Sequence, residues 1–137
     1  MLAKCLCEKI QFTFTPVDGT VIKCFCSLCR RSHGADYATQ VISSKDSLTF
    51  LSGEALLSEF ASSQFGIRAF CSHCGSRLMN YASQGSRFLS VALSAVVDDH
   101  HLTPRLQINV ASKADWVVAS PDLPAEDGVP GSLHKYF

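Results

Sequence analysis

Seven cysteines fall into three groups with the spacing of metal ligands: Cys5 and Cys7 as C-x-C, Cys24, Cys26 and Cys29 as C-x-C-x-x-C, and Cys71 and Cys74 as C-x-x-C. A C-x-x-C turn brings two sulfurs to one ion, and the amides of the turn help neutralise their charge. Gly75 after Cys74 suits such a turn, because glycine tolerates positive φ. Two ligands leave a tetrahedron half filled. Cys5 and Cys7 form the other isolated pair, expected on one strand with both sulfurs facing one way. Joining the pairs gives a closed four-cysteine site and leaves Cys24, Cys26 and Cys29 as a self-contained trio. Three protein ligands with an exchangeable fourth position is the pattern of a reactive zinc. A thiol entering that position would lose its proton on coordination.

The expectation is therefore two zinc ions, one structural and one open, with Cys24, Cys26 and Cys29 as the reactive set. Zinc with three thiolates carries about one net negative charge, which the adjacent Arg30 and Arg31 are placed to offset. Spacing leaves alternatives open. A four-ligand site built on the trio could take Cys5 or a histidine, with His33 the nearest candidate, and one ion or disulfides would use the sulfurs differently. The odd count and a reducing compartment argue against disulfides.

The elements that must position these groups read as strands. Ile10, Phe12 and Phe14 alternate with polar neighbours over residues 9–15, the period of a half-buried strand. Pro16 to Gly19 is turn chemistry. Residues 20–26 read as a second strand carrying Cys24 and Cys26 on one face, with Phe25 on the other. Residues 27–34 turn, with at most one helical turn, and return Cys29 to the same ion. Further strands are expected at 37–43, 47–51, 55–61, 65–70, 77–81, 88–93 and 105–110. No stretch keeps helical periodicity for more than about ten residues, so the domain is mainly β. The chain of 137 residues is one domain's worth, with a core over about 3–118 and a loop-like tail over 119–137.

Twelve basic and twelve acidic side chains balance, which favours neither nucleic acid nor a membrane surface as partner. The 18% charged fraction is below the ~25% of an average domain and leaves room for a homodimer contact. The start of the chain has no apolar signal-like core. The longest apolar-leaning run, 88–97, is far short of the ~20 residues of a spanning helix, so the expected location is the cytoplasm. No G-x-G-x-x-G or phosphate-cradling loop occurs.

The order C-x-C, C-x-C-x-x-C-R-R-S-x-G-A, F-C-x-x-C-G-S and a late S-K-A-D-W, from Cys5 to Trp116, resembles the glutathione-dependent formaldehyde-activating enzyme family, to which the centromere protein V group belongs. The resemblance implies a zinc-containing β-tent fold, shared with a Rab-associated zinc accessory protein and with methionine-R-sulfoxide reductases. It implies a structural zinc on Cys5, Cys7, Cys71 and Cys74. It implies a second zinc on Cys24, Cys26 and Cys29, where the sulfur of glutathione, as co-substrate, occupies or perturbs the site. The activity it implies is a carbon–sulfur lyase that interconverts formaldehyde plus glutathione with S-(hydroxymethyl)glutathione. The competing function is a non-catalytic zinc-binding interaction module. Methionine sulfoxide reduction needs a free nucleophilic cysteine, and all seven are assigned to metal.

The remaining candidates have plainer readings. His73, His100 and His101 are expected at the surface. Arg30, Arg31, Arg68 and Arg87 are candidates for the carboxylates of glutathione, though any one is more simply a solvated arginine. Trp116, Phe25, Phe60, Phe65, Phe70 and Phe88 are expected in the core.

Overall fold

The computed structural model describes residues 1–99 and 101–136; His100 lies outside them. Among the described residues the strands are β1 (Leu2–Lys4), β2 (Gln11–Thr13), β3 (Pro16–Cys24), β4 (Ala38–Ser44), β5 (Thr49–Ser52), β6 (Leu57–Ala61), β7 (Gly66–Cys71), β8 (Arg77–Ala82), β9 (Phe88–Ala92) and β10 (Leu106–Ile108). A helix, α1 (Ser27–His33), follows β3. The fold is mainly β, as expected. A large sheet has the order β10-β3-β4-β9-β8-β7-β6, and a small one the order β1-β2-β5. The pair β10–β3 is parallel; the others are antiparallel.

The alternation around β2 buries Ile10, Phe12 and Phe14 to 1% exposure or less. Phe12 packs its ring against Phe14 and Phe50. Burial of each such side chain contributes about 1.5–3 kcal/mol, so this run anchors the small sheet to the main core. That core takes Val21, Val41 and Val91 from the large sheet. The opposite face of β3 and β4 carries Ile22, Cys24, Ala38 and Ile42, which form a second cluster with Ile108 and Leu133. Successive residues of a strand alternate between the two faces, so β3 serves both clusters.

Several expectations are corrected. Pro16 to Gly19 does not end a strand. It forms an irregularity within β3, where pairing passes from Pro16↔Ser43 to Val21↔Val41 and Asp18 and Gly19 take positive φ. The strand ends at Cys24, and Cys26 is the N-cap of α1, so these two cysteines do not share a strand. Cys5 and Cys7 lie in the turn after β1, where the Glu8 amide donates to Cys5 O at 2.9 Å. Trp116 is 76% exposed, and Phe60 and Phe65 are also exposed. Trp116 Nε1 donates to Asp36. The S-K-A-D-W segment enters the interior through Ala114 instead, beside Phe25 and Val117. The tail also packs: Glu126 N donates to Gln107 O, and Leu133 is buried. No helix among the described residues is long and apolar enough to cross a membrane.

Gly53 has φ +72°, and a Cβ there would lie 2.1 Å from Lys9 O. Gly53→Ala therefore combines left-handed strain with a backbone clash. We expect a loss of about 2 kcal/mol or more, read as a lower denaturant midpoint at unchanged slope. An unshifted midpoint would show that the β5 end can move away from β2.

Candidate metal centres and the adjoining cleft

The thiols of Cys5, Cys7, Cys71 and Cys74 lie within 4.8 Å of one another. Cys5 and Cys7 sulfurs are 3.4 Å apart, and Cys7 and Cys71 sulfurs 3.9 Å. Four thiolates on zinc, at about 2.3 Å each, would be ~3.8 Å apart, so the donor set suits such an ion. The two turns support each other. Ile10 N donates to Cys5 Sγ at 3.3 Å. Ser76 Oγ accepts from Leu6 N at 2.8 Å and lies 3.2 Å from Cys74 Sγ. Hydrogen bonds from the Ser76 hydroxyl and amide, and from Cys7, hold the Cys74 thiol down to about 5 against the effect of burial. Cys7 is lowered by the Lys9 amide, but burial and its three thiol neighbours outweigh that and push it up to about 11. Ser76 was not singled out from the sequence, where it is one serine among many.

The second cluster is Cys24, Cys26 and Cys29, again within 4.8 Å. Each sulfur comes from a different local structure: the end of β3, the helix cap and the first turn of α1. Cys29 N donates to Cys26 Sγ at 3.3 Å, the usual bond of an N-cap acceptor, here made by sulfur. Hydrogen bonds from Cys24 and Cys29 hold Cys26 down to about 2. Cys24 is pushed up by donating to its two neighbours and by burial. Cys29 is pulled down by its bond with Cys24, but its bond to Cys26 and its burial win and raise it. Three thiols within 4.8 Å of one another offer the soft donors that a thiophilic divalent ion prefers. Asn109 Nδ2 donates to Cys24 Sγ at 3.3 Å, aimed there by a left-handed φ of 55°.

The guanidinium at this cluster is Arg68, whose Nη1 donates to Cys29 Sγ at 3.7 Å and to Ser32 Oγ at 3.2 Å. Arg30 and Arg31 do not take that place. Arg30 donates to Phe25 O and Ser112 O, and Arg31 is exposed. Arg87 pairs with Asp46. Arg68 is delivered by register across the sheet: Arg68↔Asn80, Asn80↔Ser90 and Ser90↔Ile42 are cross-strand partners, so one row runs over one face. Asn80 Nδ2 donates to Ser90 Oγ, and Ser90 Oγ donates to Gln40 Oε1. This polar track floors a cleft of about 470 Å³ that Cys24 and Cys29 also line.

His33 does not join the trio. It borders a different depression, beside Cys5, Cys74 and Arg77, and its buried Nε2 has no hydrogen-bond partner among the described residues. His73 and His101 are exposed. Burial, with Arg77 and Arg68 nearby, pulls His33 from 6.5 down to about 4. The unfolded chain then binds a proton that the folded chain refuses, so stability falls as pH drops from 6.5 toward 4. His33→Asn should lose that part of the slope, measured as unfolding midpoints against pH. Parallel curves for the two proteins would refute it.

The chain matches the family described as glutathione-dependent formaldehyde-activating enzyme over residues 1–112. No curated protein matches it. Among solved structures, a Rhodobacter sphaeroides protein is similar, with a TM-score of 0.63 and 19% identity over 74% of this chain and 92% of that one. That likeness shows a shared fold.

Proposed function

Because the chain belongs to the glutathione-dependent formaldehyde-activating enzyme family, we propose that it is a zinc-dependent carbon–sulfur lyase. Its substrate in this reading is the adduct of a small thiol, glutathione above all, with an aldehyde, formaldehyde being the one in the family's description. Cys5, Cys7, Cys71 and Cys74 would hold a structural zinc. Cys24, Cys26 and Cys29 would hold the reactive one, in a single cytoplasmic zinc domain spanning residues 1–137.

The observation that carries this reading is that the trio borders a cleft. Cys24 and Cys29 line it, and among the described residues no fourth cysteine, histidine or carboxylate joins the cluster. When bound, zinc would supply a Lewis acid that lets an incoming thiol shed its proton at neutral pH. The side chains supply the rest. Arg68 offsets the negative charge of the thiolates, and the Asn109 amide orients Cys24. In the forward direction a sulfur–carbon bond forms and the carbonyl π pair moves to oxygen. The proton lost by the thiol ends on that oxygen through solvent at the mouth. The reverse direction cleaves the same bond.

The test is cobalt substitution followed by addition of glutathione. The thiolate-to-cobalt band should change, and formaldehyde and glutathione should combine faster than without protein. Two metals per chain, a spectrum blind to glutathione and no acceleration would instead establish the non-catalytic module.

A further inference from the structure

Formaldehyde is a poor match for the space beside the trio. The cleft holds about 470 Å³, within the ~300–1,000 Å³ of sites for drug-sized ligands. A one-carbon carbonyl is not much larger than a water molecule, whose share of liquid volume is about 30 Å³. Much of the wall is apolar: Ile22 and Ile108 rise from adjacent strands, Leu28 precedes Cys29 on α1, and Phe65 and Val129 also line the cleft. Leu28 is 38%, Phe65 68% and Val129 41% exposed. Single exposed apolar side chains are ordinary, but these three line one cleft from three separate parts of the chain.

Charge points the same way. Among the described residues Arg68 is the charged side chain that lines the cleft. Its Nε donates to Ser62 and its Nη1 is shared among Ser32, Asn80 and the Cys29 sulfur, which ties the guanidinium to the trio's side of the cleft. Glutathione carries two carboxylates and an ammonium, and against these three charges the described lining sets one guanidinium and no carboxylate.

We propose that the cleft takes the substituent of a hydrophobic aldehyde, aromatic or branched aliphatic, while the peptide part of the thiol stays at the mouth in solvent. The substrate class is then the thiohemiacetal of such an aldehyde. The thiol sulfur bonds to the carbonyl carbon, and the thiol proton ends on the carbonyl oxygen, with no change of oxidation state. This rests on the thiol chemistry proposed above.

The experiment compares two stable thioether mimics, S-benzylglutathione and S-methylglutathione, by calorimetric titration of the zinc-loaded protein. The benzyl compound should bind about tenfold tighter or more, the gain from burying one ring. In a Leu28→Ala/Phe65→Ala double variant the gap should shrink to about threefold or less. Both positions are exposed, so the variant should keep its metal content and unfolding midpoint; each single variant, expected to close part of the gap, serves if the double does not. Equal affinities for the two mimics, or a gap untouched by the substitutions, overturn the hydrophobic assignment. Glutathione's effect on the cobalt spectrum would persist in that case, so the lyase reading would stand. A cobalt spectrum blind to glutathione overturns that reading and this inference with it.

Discussion

Cys71→Ser is expected to cost the protein the metal proposed for its four-cysteine cluster and much of its stability. Cys71 is fully buried, within the main core. A serine hydroxyl is not ionised at neutral pH, so the cluster falls to three sulfurs. The ion there would tie together turns 64 residues apart, counted from Cys7 to Cys71. Closing a loop of that size is worth about 4 kcal/mol in chain entropy. Total stability of such a domain is only about 5–15 kcal/mol. The unfolding midpoint should therefore drop by roughly 15 °C, and a strong chelator should produce a comparable drop in the unsubstituted protein. Metal analysis should find the closed ion missing. A variant that keeps two metals and its midpoint would show that these four sulfurs do not hold a structural ion.

Cys29→Ser should act in the opposite way, on turnover and not on the fold. Cys29 sits in the smaller cluster with Ile22, Ile42 and Ile108, away from the Phe12–Phe14 core. Its loss removes one donor of the trio and the acceptor of the Arg68 Nη1 bond. Changing an outer partner of a metal ligand typically costs 10–100-fold, so loss of a ligand should lower adduct formation by more than about 100-fold. One metal should remain, with the midpoint within about 5 °C of the original. Full turnover with a single metal would remove the trio from the chemistry and leave it a folding element.

These two cysteines also mark what could and could not be read from the order of residues. The grouping of sulfurs is a local property: ligands two or three positions apart reach one ion in almost any turn. That is why C-x-C and C-x-x-C were legible even though Cys5 and Cys7 lie in a turn and Cys26 caps a helix. The Ile10, Phe12 and Phe14 run was legible for a similar reason, since alternation is a short-range signature of a strand with one covered face. Trp116, Phe60 and Phe65 were misplaced because residue type says that a side chain is apolar, not that another element covers it.

What only tertiary structure decided is the identity of the groups around the trio. Arg30 and Arg31 adjoin Cys29 in sequence, yet helix geometry and the Phe25 and Ser112 carbonyls draw Arg30 elsewhere. Arg68, 39 positions from Cys29, arrives because the strand registers set it on the same sheet face. Asn109 reaches Cys24 across 85 positions through the parallel pairing of β10 with β3. Metal spacing and strand period repeat over a few residues and can be read within the chain. Strand register, cleft walls and charge neighbours come from pairing distant segments, and a single strand's residues carry no record of which partner it will meet.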